Sequence, residues 1–259
     1  MDLELNGKVF IVTGGGSGIG EAISKSALLE GAKVAIIGRK FIEEESLLAF
    51  LQGYTEDYIF IKTELTNIVD CAAAVAKVVA TFGRIDCVVN NAGRNDGIGL
   101  THGNPEAFQE SVNNNLTHYY SMAHYALPYL KKTQGNIINI ASKAAVTGQG
   151  NTSGYVAAKG AQMALTREWA VELIPDNIRV NAIIPAEVYT PLYDSWIKTF
   201  ANPEEKLKSI TDNIPLGKRF TTSDEIANMA LFLSSAKAAH ITGQHLYVDG
   251  GYTHLDRVI

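Results

Sequence analysis

Three side chains have the types and spacing to move a proton between an oxygen and solvent. Ser142 follows the apolar run Asn136–Ile140, Tyr155 comes thirteen residues later, and Lys159 four residues after that, in Tyr-Val-Ala-Ala-Lys. A four-residue step places Tyr155 and Lys159 on one face of a helix. A phenol titrates at about 10 and must be brought to about 7 to act as a base, which is roughly 4 kcal/mol of preference for the phenolate. The Lys159 ammonium supplies part of that field, and Ser142 is placed to hold the reacting oxygen. Tyr-x-x-x-Lys alone arises often by chance, so its meaning depends on what accompanies it.

A glycine turn accompanies it. Thr13-Gly14-Gly15-Gly16-Ser17-Gly18-Ile19-Gly20 follows the first apolar run and precedes a helical stretch. Its spacing is Gly-x-x-x-Gly-x-Gly, with Gly14, Gly18 and Gly20 at the key positions. Glycines permit a tight turn and close backbone approach, so a pyrophosphate can rest on the free N–H groups of the helix N-terminus. The second apolar run ends at Ile37-Gly38-Arg39-Lys40. A carboxylate there would bind a ribose 2′-hydroxyl and favour NAD, whereas an arginine accepts a 2′-phosphate and favours NADP. The first carboxylates are Glu43, Glu44 and Glu45, already in the next helical stretch. Arg39 and Lys40 therefore point to NADP, with NAD as the alternative.

The elements that must position these groups alternate along the chain. Val9–Val12, Val34–Ile37, Tyr58–Ile61, Ile85–Val89, Asn136–Ile140, Ile178–Ile184 and His245–Val248 read as strands, several of them rich in Val and Ile. Between them, Ile19–Glu30, Ile42–Leu51, Ile68–Phe82, Glu106–Lys131, Gly154–Leu173 and Asp224–Leu233 read as helices. That alternation predicts an α/β fold: one doubly wound parallel sheet of Rossmann type, with helices on both faces, spanning residues 1–259. Thr190–Lys218, with Pro191, Pro203 and Pro215, breaks the alternation and reads as a lid over a substrate.

Composition narrows the function class. The 259 residues carry 22 basic and 27 acidic side chains, a net charge of −5, which suits neither nucleic acid nor an anionic membrane surface. No apolar run reaches the length of a membrane span, and Met1–Lys8 has no signal-peptide pattern. Cys71 and Cys87 make neither a disulfide framework nor a zinc site, and the six histidines show no paired metal-ligand spacing. The expectation is a soluble, cytoplasmic enzyme without a metal.

The glycine turn, Asn90-Asn91-Ala92-Gly93 after the fourth strand, and Ser142, Tyr155 and Lys159 together resemble the short-chain dehydrogenase/reductase family from Lys8 to Gly251. The resemblance implies an NAD(P)-dependent oxidoreductase in which Asn115 completes a catalytic tetrad with Ser142, Tyr155 and Lys159. A helix kink at Asn115 would turn a backbone carbonyl toward a water-bridged proton relay with Lys159. It also implies that Gly14, Ser17, Gly18, Ile19, Gly20, Arg39, Lys40, Glu64, Leu65, Asn91, Ala92, Gly93, Tyr155, Lys159, Pro185, Val188 and Thr190 hold the cofactor. Three family positions differ: Glu64-Leu65-Thr66 stands where Asp-x-Thr is usual, Pro185-Ala186 where Pro-Gly is usual, and Arg94-Asn95-Asp96 after Asn-Asn-Ala-Gly is unusually polar. Members usually form homotetramers through long helices. Here Tyr119, Met122 and Trp169 on the two long helical stretches are expected to face outward for that purpose.

The segments 95–100, 118–125, 148–155, 184–193 and 251–257 resemble the sugar-oxidising branch of that family, bacterial L-fucose dehydrogenases among them. The resemblance implies hydride transfer from the anomeric carbon of a pyranose to give its lactone. Arg94, Asn95, Asp96, Lys143, Gln149, Asn151 and Glu187 form a polar rim suited to several hydroxyls, because an unpaired buried hydroxyl is costly. The competing reading is an NADP-dependent carbonyl or 3-oxoacyl reductase, which Leu192, Trp196, Ile197 and Phe200 in the lid would favour. A cofactor-binding scaffold without turnover fits poorly with a chain that keeps both Tyr155 and Lys159.

Overall fold

Val9–Thr13 reads Val-Phe-Ile-Val-Thr, and all five residues are buried. Such a segment satisfies its backbone only inside a sheet covered on both faces. In the computed structural model, which describes residues 2–39 and 45–255, it is β1 of a seven-stranded sheet. The others are β2 (Lys33–Gly38), β3 (Tyr58–Lys62), β4 (Cys87–Asn90), β5 (Asn136–Ile140), β6 (Arg179–Pro185) and β7 (His245–Val248). The order is β3-β2-β1-β4-β5-β6-β7, and every neighbouring pair is parallel. The expected doubly wound parallel sheet is therefore present.

Alternate residues of β1 serve the two faces. Phe10 and Val12 pack with α1 (Gly18–Leu29) and with Ile226, Ala227 and Ala230 of a later helix, Ser223–Ser234. Val9 and Ile11 pack in the opposite cluster with Cys71, Val75 and Val78 of Ile68–Phe82 and with Tyr119, Met122 and Ala126. In chain order the helices are α1, α2 (Glu45–Leu51), α3 (Ile68–Phe82), α4 (Pro105–Val112), α5 (His118–Thr133), α6 (Ala144–Thr147), α7 (Ser153–Glu172), α8 (Pro191–Ile197), α9 (Pro203–Thr211) and α10 (Ser223–Ser234). No helix among the described residues is long and apolar enough to cross a membrane.

Two expectations need correction. The stretch Glu106–Lys131 is not one helix but α4 and α5 joined by a π-helical turn, Asn113–Thr117. Tyr119, Met122 and Trp169 face inward, at 0, 0 and 6 % exposure. The inward stripe of α5 is Tyr119, Met122, Ala123, Ala126 and Leu130, a single helical face. Its outward aromatic is Tyr120, one residue and about 100° further round. Smaller shifts occur at element ends. The fourth strand begins at Cys87 rather than Ile85, since the Asp86 carboxylate turns to accept from the Val9 N–H and the Arg84 guanidinium.

Candidate active site

The sheet order reverses between β1 and β4, and a ligand crevice is expected outside the carboxyl ends of the strands at such a point. A cleft of about 820 Å³ opens there. Gly14 and Gly18 adopt φ of +64° and +55°, a region where a side chain is strained. A Cβ on Gly20 would stand 2.2 Å from the Gly14 carbonyl oxygen and 2.5 Å from Asn91 Nδ2. Asn91 fastens the turn: its Nδ2 donates to the carbonyls of Thr13 (2.9 Å) and Gly14 (3.3 Å), and its backbone N–H donates to Thr13 Oγ1 (2.9 Å). Ser17 precedes α1 without capping it by its side chain, so the N–H groups of the first turn stay open to a ligand. This cradle of bare backbone fits the pyrophosphate of a dinucleotide.

Most residues assigned to the cofactor from sequence line this one cleft: Gly14, Ser17, Gly18, Ile19, Arg39, Glu64, Leu65, Asn91, Ala92, Gly93, Tyr155, Lys159, Pro185, Val188 and Thr190. Gly20 is outside it, its role being the close approach to Gly14. Lys40 lies outside the described residues. Glu64 accepts from the Thr66 hydroxyl at 3.0 Å, which fixes its carboxylate within its own turn.

Ser142, Tyr155 and Lys159 meet at the inner end. Burial pushes the Tyr155 phenol up from its ordinary value; the neighbouring Ser142 hydroxyl pulls it down, and the charge of Glu187 raises it further. Lys159 Nζ donates to the Ile140 carbonyl (2.7 Å) and to Tyr119 Oη (3.4 Å). Burial lowers its ammonium to about 7, and no carboxylate among the described residues forms an ion pair with it.

Asn115 sits in the π-turn, which stands where a kink was expected. It is fully buried and does not line the cleft; Asn114 does. Its Oδ1 accepts from the Arg94 N–H (2.8 Å), its Nδ2 donates to the Ser111 carbonyl (2.9 Å), and its own carbonyl accepts from Gln162 Nε2 (2.6 Å). The side chain thus ties the π-turn to the loop after β4. The carbonyl expected to serve a relay takes one bond from Gln162 and keeps its second acceptor site.

The polar rim is also smaller than its sequence suggests. Arg94 lines the cleft. Asn95 accepts from Thr152 Oγ1, and Asp96 from Ser111 Oγ at 2.8 Å, so both hold their loop against α4 and the start of α7. Gln149 and Asn151 are exposed and outside the cleft lining. Lys143 and Glu187 are also outside the cleft lining, behind Ser142 and Ala186 in sequence; they pair with each other, Nζ to Oε1 2.6 Å, with side chains only 12 and 16 % exposed. The Lys143 ammonium also stands 3.8 Å from the centre of the Tyr252 ring. Sequence reasoning missed Tyr193, which lines the cleft mouth from α8, and His118, which lines its interior from the start of α5. The sequence signals for His118 were its place three residues after Asn115 and at the head of the segment 118–125.

Over residues 14–253 the chain matches the family described as enoyl-(acyl carrier protein) reductase. It is 35 % identical over 253 residues to an L-fucose dehydrogenase of Bos taurus, covering 95 % of this chain and 89 % of that one. It is 34 % identical to the 3-oxoacyl-[acyl-carrier-protein] reductase FabG of Thermotoga maritima, covering 96 and 99 %. Among solved structures, the Cj0485 dehydrogenase superposes with a TM-score of 0.96 at 47 % identity, covering 100 % of this chain and 99 % of that one. Glycine turn, Asn-Asn-Ala-Gly loop and Ser-Tyr-Lys cluster converge in one crevice of a parallel sheet, and with these relatives they place the chain in the short-chain dehydrogenase/reductase family, as an oxidoreductase of a kind that uses NAD(P).

Proposed function

We propose that the protein oxidises an aldose of the L-fucose kind at its anomeric carbon, giving the lactone, with NADP preferred over NAD. One observation carries the substrate class: the Lys143–Glu187 ion pair, largely out of solvent and close enough for Glu187 to act on both Tyr155 and Tyr193. Beyond their bond to each other, the ammonium keeps two donors and the carboxylate further acceptor sites, which sugar hydroxyls can use and a steroid or acyl chain uses little. The L-fucose dehydrogenase relative supports the same class. The preference for NADP rests on Arg39, which lines the cleft at the end of β2.

In this reading Tyr155 Oη takes the proton of the substrate hydroxyl. The Ser142 hydroxyl fixes that oxygen, and the Lys159 charge favours the phenolate. The nicotinamide, when bound, supplies the hydride acceptor. Gly14, Ser17, Gly18 and Ile19 would hold its pyrophosphate, and Val188 and Thr190 would border its ring. Asn115 acts by holding the π-turn in place. Helices α8 and α9 form the lid, with Leu192 and Tyr193 at the cleft mouth. Tyr120, Phe108 and Val171, exposed on α5, α4 and α7, would form the self-association face of a homotetramer.

A second reading, reduction of a 3-oxoacyl or other carbonyl compound, is favoured by the FabG relative and by the aromatic cluster Tyr193, Trp196, Phe200 and Phe220 in and beside the lid. The test is nicotinamide reduction by the purified protein with NADP and NAD against L-fucose, L-galactose, D-arabinose, D-glucose and 1-phenylethanol. Tyr155→Phe serves as control and is expected to lose at least about 100-fold in turnover. Turnover of the first three sugars and not of the alcohol is expected. Silence on every sugar with reduction of 3-oxoacyl thioesters would select the second reading.

A further inference from the structure

Two loops that border the reactive cluster are tied together just behind it. Lys143 follows Ser142, and Glu187 follows Pro185 and Ala186. The Lys143 N–H donates to the Pro185 carbonyl at 3.0 Å. The side chains form the 2.6 Å ion pair, and no other ion pair among the described residues keeps both partners this far from solvent. Taking two charges out of water is costly, and apolar side chains of similar size often serve stability as well. A dry pair at this place therefore calls for a reason other than stability.

The pair is also gripped from a third direction. The turn after β7 is wound around Asp249, whose carboxylate accepts from the N–H groups of Gly251 (2.8 Å) and Thr253 (2.9 Å). Between them the turn presents Tyr252, and the centre of its ring stands 3.8 Å from the Lys143 ammonium. The face of an aromatic ring attracts a cation, more strongly where water is excluded. The ring thus holds Lys143 against Glu187 instead of leaving it to swing into solvent.

Glu187 faces two phenols, Tyr193 on α8 and Tyr155 on α7. Burial is the larger cause of the upward push on both, and the Glu187 charge adds to it; at Tyr155 the Ser142 hydroxyl pulls the other way. The remaining titratable groups around Tyr155 are Lys159, 5.5 Å from its ring centre, Tyr119 and His118 on α5, and Arg94 on the loop after β4. Around Glu187 they are Lys143 and Tyr252. A carboxylate near a phenol that must lose its proton opposes that loss, because a second negative charge is disfavoured beside the first. A cation bound to the carboxylate reduces the opposition.

We infer that Lys143 is a positioning residue for the reaction: clamped on Glu187 by the Tyr252 ring, its ammonium offsets the carboxylate's field and lets the Tyr155 phenolate form. Lys143 acts on Tyr155 through Glu187. The C-terminal turn, remote from Tyr155 in sequence, thereby becomes part of what sets the working pH of the site. The inference rests on the Tyr155 role proposed above, and not on which alcohol is oxidised.

The test is the pH dependence of kcat/KM for L-fucose oxidation, whose rising limb reports the base of the free enzyme. Lys143→Met should move that limb to higher pH by about one unit, which is about a tenfold loss at neutral pH. Glu187→Gln should move it to lower pH, and the double variant should return it close to the parent's. Tyr252→Leu should shift it in the direction of Lys143→Met, whereas Tyr252→Phe, which keeps the ring, should retain the parent's profile. A purely structural role would give neither shifts of opposite sign nor recovery in the double variant. The same titration is read without substrate as the phenolate absorbance of each variant minus that of the same variant carrying Tyr155→Phe. Single variants within about 0.3 unit of the parent, or shifting in the same direction, overturn the inference. Glu187→Gln decides alone if Lys143→Met fails to fold. Turnover of Tyr155→Phe near the parent's would instead sink the base role, and silence on every sugar would leave the absorbance titration to decide the inference, which separates the failures.

Discussion

Replacing Arg39 by Ala tests how the cleft distinguishes the two cofactors. Arg39 follows Gly38, the last residue of β2, is exposed, and lines the cleft beside the glycine turn. The nearest carboxylate in the lining, Glu64, is held by Thr66. A hydrogen bond to a charged group contributes about 1.5–3 kcal/mol, so losing one to a 2′-phosphate should weaken NADPH binding by roughly 10–150-fold. NADH, with a hydroxyl at that position, should lose less than about threefold. Because the guanidinium is exposed, the difference should shrink with salt, as the screening length falls from about 10 Å at 0.1 M to about 3 Å at 1 M. Nucleotide fluorescence titrations at both ionic strengths give four dissociation constants for each of parent and variant. Equal weakening of NADPH and NADH would refute the assignment, and a difference indifferent to salt would refute the electrostatic argument behind it.

Two other perturbations probe the cradle and the buried charge. Gly20→Ala forces a methyl to within 2.2 Å of the Gly14 carbonyl; overpacking of this kind costs about 1–3 kcal/mol, and calorimetry should find dinucleotide affinity lost along with a lower melting temperature. Lys159 is held near 7 when folded, against about 10.4 unfolded. Between these values the unfolded chain binds the extra proton, so this group makes stability rise with pH there, by at most about 1.4 kcal/mol per unit. Below about 7 both states are charged and the burial cost is constant. Lys159→Met should therefore flatten the rise in urea midpoint from pH 7 to 10; an unchanged slope would mean the ammonium is not desolvated.

The sheet was legible in the sequence because its signal is local and redundant. Val-Phe-Ile-Val in β1 and Val-Ala-Ile-Ile within β2 can be buried on two faces and in few other ways. The glycine turn was legible for a related reason: Gly14, Gly18 and Gly20 meet a steric demand that other residues fail. The phase of α5 was not. Tyr119 and Tyr120 are chemically alike, and only the neighbours α5 packs against decide which enters the core. The π-turn was anticipated only as a kink, since it is held by contacts from distant segments, Arg94 and Gln162.

Spacing shows which polar groups can come near a substrate, but not which are already engaged when it arrives. Asn95, Asp96 and Asn115 stand near the reactive cluster in the chain, and each meets a protein partner instead, at Thr152, Ser111, Arg94 and Gln162. A ligand that takes over such a bond gains little, because a new hydrogen bond must replace an existing one. The same reasoning separates the two side chains that the π-turn brings toward Lys159. Asn115 makes one hydrogen bond each through its side-chain oxygen, its amide and its carbonyl, and so serves the turn's geometry. His118, three residues on, lines the cleft and makes no hydrogen bond of normal geometry through either nitrogen with a described group.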